Sequence, residues 1–318
     1  MVLGAGPAAV SVARGLAAAG FAPELHEPDP DAARRLGDLL RQAGVPFPLS
    51  CDAGSPLGAA LVAEALEEEP LADRRAHLAR ILAEAEGDVP VWTTLPPPVP
   101  AGAIGFRPAT PAHLRPLVEI APGPGVSAAQ VDSALALARA MGRQPVSAPG
   151  DRASVAMRLS VCLADAAEDL LFEGAIPHEL DEAMVAAGWD LGVFEAQDLI
   201  GLASLRDPAR PRPISDRMVE EGRLGKSAGV GWYRYPGGGG AVIDPLVEDL
   251  VREEAWFAGV PQRSFGPEAM LARLRAALRA EVAAVLEEGA TAAEIDLVAR
   301  AGLGFVEGCG LMRWLQES

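Results

Sequence analysis

The sequence predicts an α/β chain in which a mostly parallel sheet, covered by helices on both faces, is followed by an all-α domain made of two repeated helical units. Three observations carry this expectation. A glycine-rich turn joins a strand to a helix within the first ten residues. Strand and helix patterns then alternate to about residue 150. Beyond that point the pattern is helical, and a Glu-Gly-Ala triplet recurs 115 positions on, at Glu173 and Glu288.

Met1–Leu3 reads as the stub of a buried strand, and Gly4-Ala5-Gly6-Pro7-Ala8-Ala9 opens a helix that runs to about Ala19. Gly20 suits the position just past a helix end. Ala22–His26 is expected as the second strand, ending in Glu27. This strand–turn–helix–strand–acid unit is Rossmann-like. Gly4 permits the tight turn, Gly6 lets backbone approach a pyrophosphate, and the small Ala9 lets helix and strand pack closely. Glu27, about 20 residues on, is placed to bond a ribose hydroxyl. The opening suits NAD or a flavin, whereas Glu27 would repel the 2′-phosphate of NADP. A unit that packs well without any nucleotide is the bland alternative.

Further elements follow in order. Ala32–Ala43 reads as a helix whose Arg34, Arg35 and Arg41 are most simply a solvated face. Ala60–Leu66 suits a buried strand and contains Glu64. Residues 71–85 read as a helix, Val89–Trp92 as a strand, and Leu95–Pro100 as a stiff loop. Ile104–Phe106 and Leu117–Ile120 are short strands joined by a proline-rich loop. Ser127-Ala128-Ala129-Gln130 is a capping box, with Val126 and Val131 as its hydrophobic staple. The helix it opens stops at Gly142, and Gln144–Ala148 is the last strand.

The helical part repeats one plan. Residues 153–174 form a long helix ending in Glu173-Gly174, with Asp181 seven positions later. Residues 269–289 end in Glu288-Gly289, with Asp296 again seven positions later. Gly188-Trp189-Asp190-Leu191-Gly192 in the first copy matches Gly302-Leu303-Gly304 in the second. Domain boundaries are expected at 1–150, 151–236 and 241–318. Between the copies, the run from Gly222 to Tyr235 reads as a glycine-rich turn with an aromatic lid. Pro236–Gly240 reads as a flexible linker.

Bulk properties narrow the function. The chain has 318 residues, half of them apolar, and a net charge of −17. That charge argues against nucleic acid and anionic membrane surfaces as partners. Among 27 basic residues only Lys226 is a lysine. Cys51, Cys162 and Cys309 are isolated, and the four histidines are scattered, so neither disulfides nor a metal site is expected. Residues 1–20 are apolar but lack a basic leading region, and the glycine turn explains them better than a signal peptide. A reducing, cytoplasmic location is the expectation.

The candidate chemistry lies between Ile104 and Ile120. Arg107 ends the first strand of this segment, and Glu119 stands in the second, twelve positions later. Strand ends beside loops are where α/β enzymes place reacting groups. The Pro116-Leu117-Val118-Glu119 strand, the glycine turn and Glu64 resemble the L-3-hydroxyacyl-CoA dehydrogenase family. So do Gly192-Val193-Phe194-Glu195 and the run from Gly222-Arg223-Leu224-Gly225 to Trp232-Tyr233. The duplicated helical part is similar to the dehydrogenase part of multifunctional fatty-acid oxidation proteins.

This resemblance implies NAD as cofactor, an acyl-CoA-like substrate and hydride transfer between a 3-hydroxyacyl thioester and NAD. It implies a histidine base oriented by a glutamate, with a serine and an asparagine holding the reacting oxygens. At the matching positions stand Arg107 for the histidine, Glu119 for the glutamate, Thr93 with Thr94 beside it for the serine, and Met157 for the asparagine. Gly4, Gly6, Ala9, Glu27 and Glu64 match the cofactor-binding positions. The family's helical hairpin that contacts CoA is cut down to one helix and a short strand between Glu27 and Glu64.

The arginine decides how far the resemblance carries. A general base needs a pKa near the working pH, and a guanidinium does not release its proton there. Arg107 is therefore expected to pair with Glu119 or to bind an anion. His113, six residues from each, is the alternative base, although a loop histidine without a catalytic role is the simpler reading. Three functions stay open: a weak or altered NAD-dependent oxidoreductase of hydroxyacyl-CoA type, a catalytically inactive binding or interaction protein with this fold, and a flavin- or NADP-dependent oxidoreductase. Single-copy relatives dimerise through the helical domain. A second copy within the chain is expected to cover that surface, favouring a monomer over a homodimer.

Overall fold

The computed structural model describes residues 1–42, 47–52, 54–56, 58–67, 69–85, 89–306, 308 and 310–316. Ala43, the expected end of the second helix, and Cys309 lie outside them. The chain divides into two compact units, Met1–Ser154 and Val155–Ser318.

The first unit alternates strands and helices in the expected order. These are β1 (Val2–Leu3), α1 (Pro7–Ala18), β2 (Leu25–His26), α2 (Pro30–Gln42), β3 (Leu49–Ser50), β4 (Val62–Glu64) and α3 (Leu71–Glu84). They continue with β5 (Val91–Thr93), β6 (Ala103–Pro108), β7 (Leu117–Pro122), α4 (Ala128–Ala140) and β8 (Gln144–Ser147). The eight strands form one sheet in the order β3-β2-β1-β4-β5-β6-β7-β8. Every pairing is parallel except β6 with β7. The order reverses direction between β1 and β4, which in open α/β sheets is where ligands bind.

Both faces of the sheet are covered. Val12 and Leu16 of α1 and Ala134 and Ala138 of α4 pack with Ala63, Trp92, Phe106 and Ile120 on one face. Leu78 and Ile81 of α3 pack with Leu3, Val62, Val91 and Ala121 on the other. The central strands are therefore mostly apolar, as parallel strands buried on both faces tend to be, with Glu64, Thr93, Arg107 and Glu119 as their polar exceptions. The capping box forms as expected. Ser127 accepts from the Gln130 N–H, and the Gln130 side chain accepts from the Ser127 N–H. The arginines of α2 are solvated: Arg34 pairs with Asp31, Arg41 pairs with Asp38, and all four are exposed.

The second unit is helical. It contains α5 (Val155–Glu173), α6 (Pro177–Ala186), α7 (Val193–Ile200), α8 (Leu202–Leu205) and α9 (Pro213–Glu220). A two-stranded ribbon follows, β9 (Tyr233–Arg234) with β10 (Val242–Ile243). Then come α10 (Pro245–Phe257), α11 (Pro267–Glu287), α12 (Ala292–Val298) and α13 (Leu311–Trp314). The expected flexible linker at Pro236–Gly240 is corrected here. It is the loop of the β9–β10 hairpin, tied by Gly238 N–H to the Tyr235 carbonyl at 3.0 Å and by Gly239 N–H to the Pro236 carbonyl at 3.1 Å. Glycines that looked like slack instead permit a tight turn.

The repeated plan has a physical basis. Asp181 accepts the Phe194 and Glu195 N–H groups at 3.0 and 2.9 Å, so it caps the start of α7. Asp296 accepts the Met312 N–H at 2.8 Å and does the same for α13. In each copy a glycine leaves room for the carboxylate. A Cβ on Gly192 would lie 2.1 Å from Asp181 Cγ, and one on Gly310 would lie 2.7 Å from Asp296 Oδ2. The two copies meet directly. Trp189 and Phe305 form an isolated antiparallel bridge, and their rings pack edge to face with centroids 5.2 Å apart. Arg158 of α5 reaches Glu281 and Glu288 at 2.5 and 2.6 Å.

Candidate functional site

The glycine turn is built from the sheet outward. Gly4 has φ +119°, and a Cβ there would lie 2.2 Å from the Ala65 carbonyl oxygen. The neighbouring strand segment therefore demands this glycine as much as the turn does. Gly6 precedes α1 in extended conformation, and Pro7 takes the first helical position. Ala9 is fully buried in the core beside the sheet. Glu27, just past β2, is 5% exposed and accepts the Asp29 N–H on Oε1 at 2.9 Å. One residue not anticipated from the sequence stands in the turn. Glu67, in the segment after β4, accepts the Ala8 N–H on Oε2 at 3.0 Å.

Glu64 was expected among the nucleotide contacts, and the geometry redirects it. Its side chain is completely buried. Its carboxylate accepts Arg74 Nε at 2.8 Å and Nη2 at 3.2 Å, the Thr93 hydroxyl at 2.5 Å and the Leu66 N–H at 3.0 Å. Four donors use the directions that a carboxylate offers, leaving none for a ribose. Thr93 is redirected by the same cluster. Its hydroxyl proton goes to Glu64, and its oxygen accepts the Leu95 N–H at 3.0 Å. Thr94 is half-buried and accepts Arg74 Nη2 at 2.8 Å. Its own proton is left for another acceptor. Arg74 was missed, although Arg74, Leu78 and Ile81 recur at helical spacing and all face inward from α3.

Arg107 and Glu119 are set side by side by the sheet. They are direct partners in the antiparallel β6–β7 ladder, so both side chains leave the same face of the sheet. Glu119 is 1% exposed. Burial lowers the Arg107 pKa, and the nearby Glu119 charge works against that shift. The guanidinium remains a cation. Its Nη1 donates to the Arg152 carbonyl at 2.7 Å and to the Pro149 carbonyl at 3.5 Å, and Nη2 donates to the Gly150 carbonyl at 3.4 Å. Among the described residues its buried Nε has no hydrogen-bond partner. His113 is exposed, in a turn where Leu114 and Arg115 both donate N–H groups to the Pro111 carbonyl. Met157 is exposed near the start of α5.

Among the described residues no group of three or more His, Cys, Asp or Glu side chains is arranged to hold a metal ion. No described helix is long and apolar enough to cross a membrane.

A glycine turn at the switch point of a parallel sheet, with an acid ending the next strand, defines the class of dinucleotide-binding α/β proteins. Comparison with known proteins narrows the class. Residues 98–152 match the family model for the 3-hydroxyacyl-CoA dehydrogenase NAD binding domain, and residues 155–235 match that for the C-terminal domain. These matches support the 3-hydroxyacyl-CoA dehydrogenase family for this chain. The first matched segment holds Arg107 and Glu119 but not the glycine turn.

The chain is 30% identical over 222 residues to a peroxisomal bifunctional enzyme of Danio rerio. That match covers 62% of this chain and 31% of the relative. It is 27% identical over 225 residues to a fatty acid oxidation complex subunit alpha of Acinetobacter baumannii, covering 65% and 31% respectively. The chain thus spans about a third of the length of these curated relatives. In fold it is similar to 3-hydroxybutyryl-CoA dehydrogenase from Escherichia coli, with TM-score 0.72, 18% identity, and coverage of 96% of this chain and 89% of that one. The dehydrogenase part of multifunctional enzyme 1 from C. elegans gives TM-score 0.67 and 17% identity, covering 97% of this chain and 79% of that one.

Proposed function

We propose that this chain is an NAD-dependent oxidoreductase of the 3-hydroxyacyl-CoA dehydrogenase type, acting on an acyl-CoA-like thioester in fatty-acid metabolism. Its turnover is weak because Arg107 stands where the family has its base. The observation that carries the reading is Glu119, buried on β7 directly opposite the residue near the end of β6 where that base belongs, within the segment that matches the family.

NAD, when bound, supplies the hydride acceptor. The chain's own residues do the rest. Gly4, Gly6 and Ala9 shape the turn for a pyrophosphate, and Glu27 takes a ribose hydroxyl. Thr94, rather than Thr93, donates to a substrate oxygen. Arg107 stabilises negative charge at an oxygen but removes no proton. The protein works as a monomer in a reducing, cytoplasmic setting, with neither nucleic acid nor membrane as partner.

The ties from Arg107 to three backbone carbonyls favour a second reading. In it the arginine is a structural clasp, and the protein is a catalytically inactive binder that has kept its nucleotide turn.

An NADH fluorescence titration and reduction of acetoacetyl-CoA separate these readings. The proteins compared are the wild type and Arg107→His combined with Met157→Asn. NADH binding is expected in both. Wild-type turnover is expected about 100-fold or more below the variant, the usual worth of a positioned general acid–base group. Absence of NADH binding sinks the cofactor assignment. Robust wild-type turnover shows that no histidine is needed. Binding without turnover in either protein favours the inactive binder.

A further inference from the structure

Glu67 sits where the proposed cofactor would place its most highly charged part. Its Oε2 takes the Ala8 N–H at 3.0 Å, and the same oxygen lies 3.1 Å from where a Cβ on Gly6 would be. Ala8 is the second residue of α1. Pro7 before it has no N–H to offer, and Gly6 supplies no side-chain cap. The Ala8 amide and the gap above Gly6 are the features by which a glycine turn holds a pyrophosphate. In this chain they already hold an anion, and that anion belongs to the protein.

We propose that Glu67 is a built-in competitor for the cofactor pyrophosphate, a carboxylate that must leave the turn before a dinucleotide binds. This inference rests on reading the first unit as an NAD site. Two anions cannot share one N–H donor, and at contact distance their charges repel strongly in a partly desolvated turn. The backbone behind Glu67 is held. Leu66 donates its N–H to Glu64 at 3.0 Å, and the Ala65 carbonyl packs against Gly4. Glu64 is itself fixed by Arg74. The Glu67 side chain, by contrast, is exposed. Opening the site requires the Glu67 carboxylate to leave the Ala8 N–H while the strand-end segment stays in place. Glu67 sets the threshold for the cofactor and selects against weakly held phosphate ligands.

The test uses the full chain as wild type, Glu67→Gln and Glu67→Ala. Isothermal titration is carried out with NADH, ADP-ribose and adenosine. NADH and ADP-ribose carry the pyrophosphate; adenosine does not. Both variants are expected to bind the two pyrophosphate ligands about tenfold tighter than wild type, the loss of one competing charge-assisted hydrogen bond. Adenosine affinity is expected to be the same in all three proteins. Unchanged or weaker NADH binding in both variants overturns the inference. Equal tightening of adenosine also overturns it, because the residue would then merely loosen the whole pocket. Failure of all three proteins to bind NADH at millimolar concentration overturns the NAD reading itself, which separates the two failures. Glu67 is exposed, and Glu67→Gln keeps its shape, so matching thermal midpoints check that the variants are folded.

Discussion

Arg107 and Glu119 face each other across the one antiparallel pair of an otherwise parallel sheet. This strand geometry sets a permanent cation beside a buried acid. The cation also reaches forward to the carbonyls of Pro149, Gly150 and Arg152.

Arg107 is therefore expected to hold the fold as well as the site. Arg107→Met removes hydrogen bonds from a charged donor and leaves Glu119 without its neighbouring cation. A loss of about 1–3 kcal/mol is expected in urea unfolding. A midpoint equal to wild type would show that these contacts contribute nothing.

The Glu64 cluster gives a larger effect. Among the described residues Arg74 is the cation that meets the fully buried Glu64 carboxylate. Arg74→Met leaves that charge uncompensated, at a cost of about 3–5 kcal/mol. Combining it with Glu64→Gln is expected to recover part of the loss, because the buried charge goes with its partner. Thermal unfolding of the single and double variants measures both. A double variant less stable than Arg74→Met would refute the argument.

Gly192→Ala and Gly310→Ala probe the repeated cap. In each, the added methyl enters the space of an aspartate carboxylate. Both substitutions are expected to destabilise by about 1–3 kcal/mol or more. Gly240→Ala, where a Cβ meets nothing within 4 Å, is the control. Equal midpoints for all three variants would remove the cap explanation.

Asp181 ties stability to pH. Burial pushes its pKa from the usual 3.8 up to about 7, against three donated hydrogen bonds. Asp198 is pushed up to about 6 by the same cause. For an acid whose folded pKa is raised, the folded chain binds more protons than the unfolded chain between the two values. Stability therefore falls as pH rises from about 4 to about 7. The wild-type urea midpoint is expected to decline over that range, and that of Asp181→Asn to decline less. Since the net charge of −17 acts on both proteins, the difference isolates Asp181. Parallel declines would count against a raised Asp181 pKa.

The internal copy predicts assembly. Light scattering on the full chain is expected to give a mass near 32.9 kDa. Twice that value would show that the second helical copy leaves a dimer surface open.

Much of the architecture was legible because it is local. The capping box at Ser127 and Gln130, the glycine turn and the recurring Glu-Gly with Asp seven positions on are each written within a few residues. Their outcomes depend on hydrogen bonds that short segments make with themselves or the next element. The alternation of strand and helix is equally local, because burial on both faces leaves an apolar run wherever a parallel strand passes. The ancestry of the Arg107–Glu119 pair was legible for the same reason.

Tertiary structure decided what the polar residues do. Nothing near Glu64 in sequence says that Arg74 and Thr93 will close it off, and nothing near Ala8 says that Glu67, 59 positions away, will take its N–H. The first follows from β4 lying beside β5, which sets Glu64 opposite Thr93, and the second from β1 lying beside β4, which brings the first turn to the segment after the fourth strand. The sequence by itself carried the family resemblance, the glycine turn and the presence of Arg107 on the strand before that of Glu119. Which donors Glu64 and Glu67 accept was settled by strand neighbours that only the folded sheet creates.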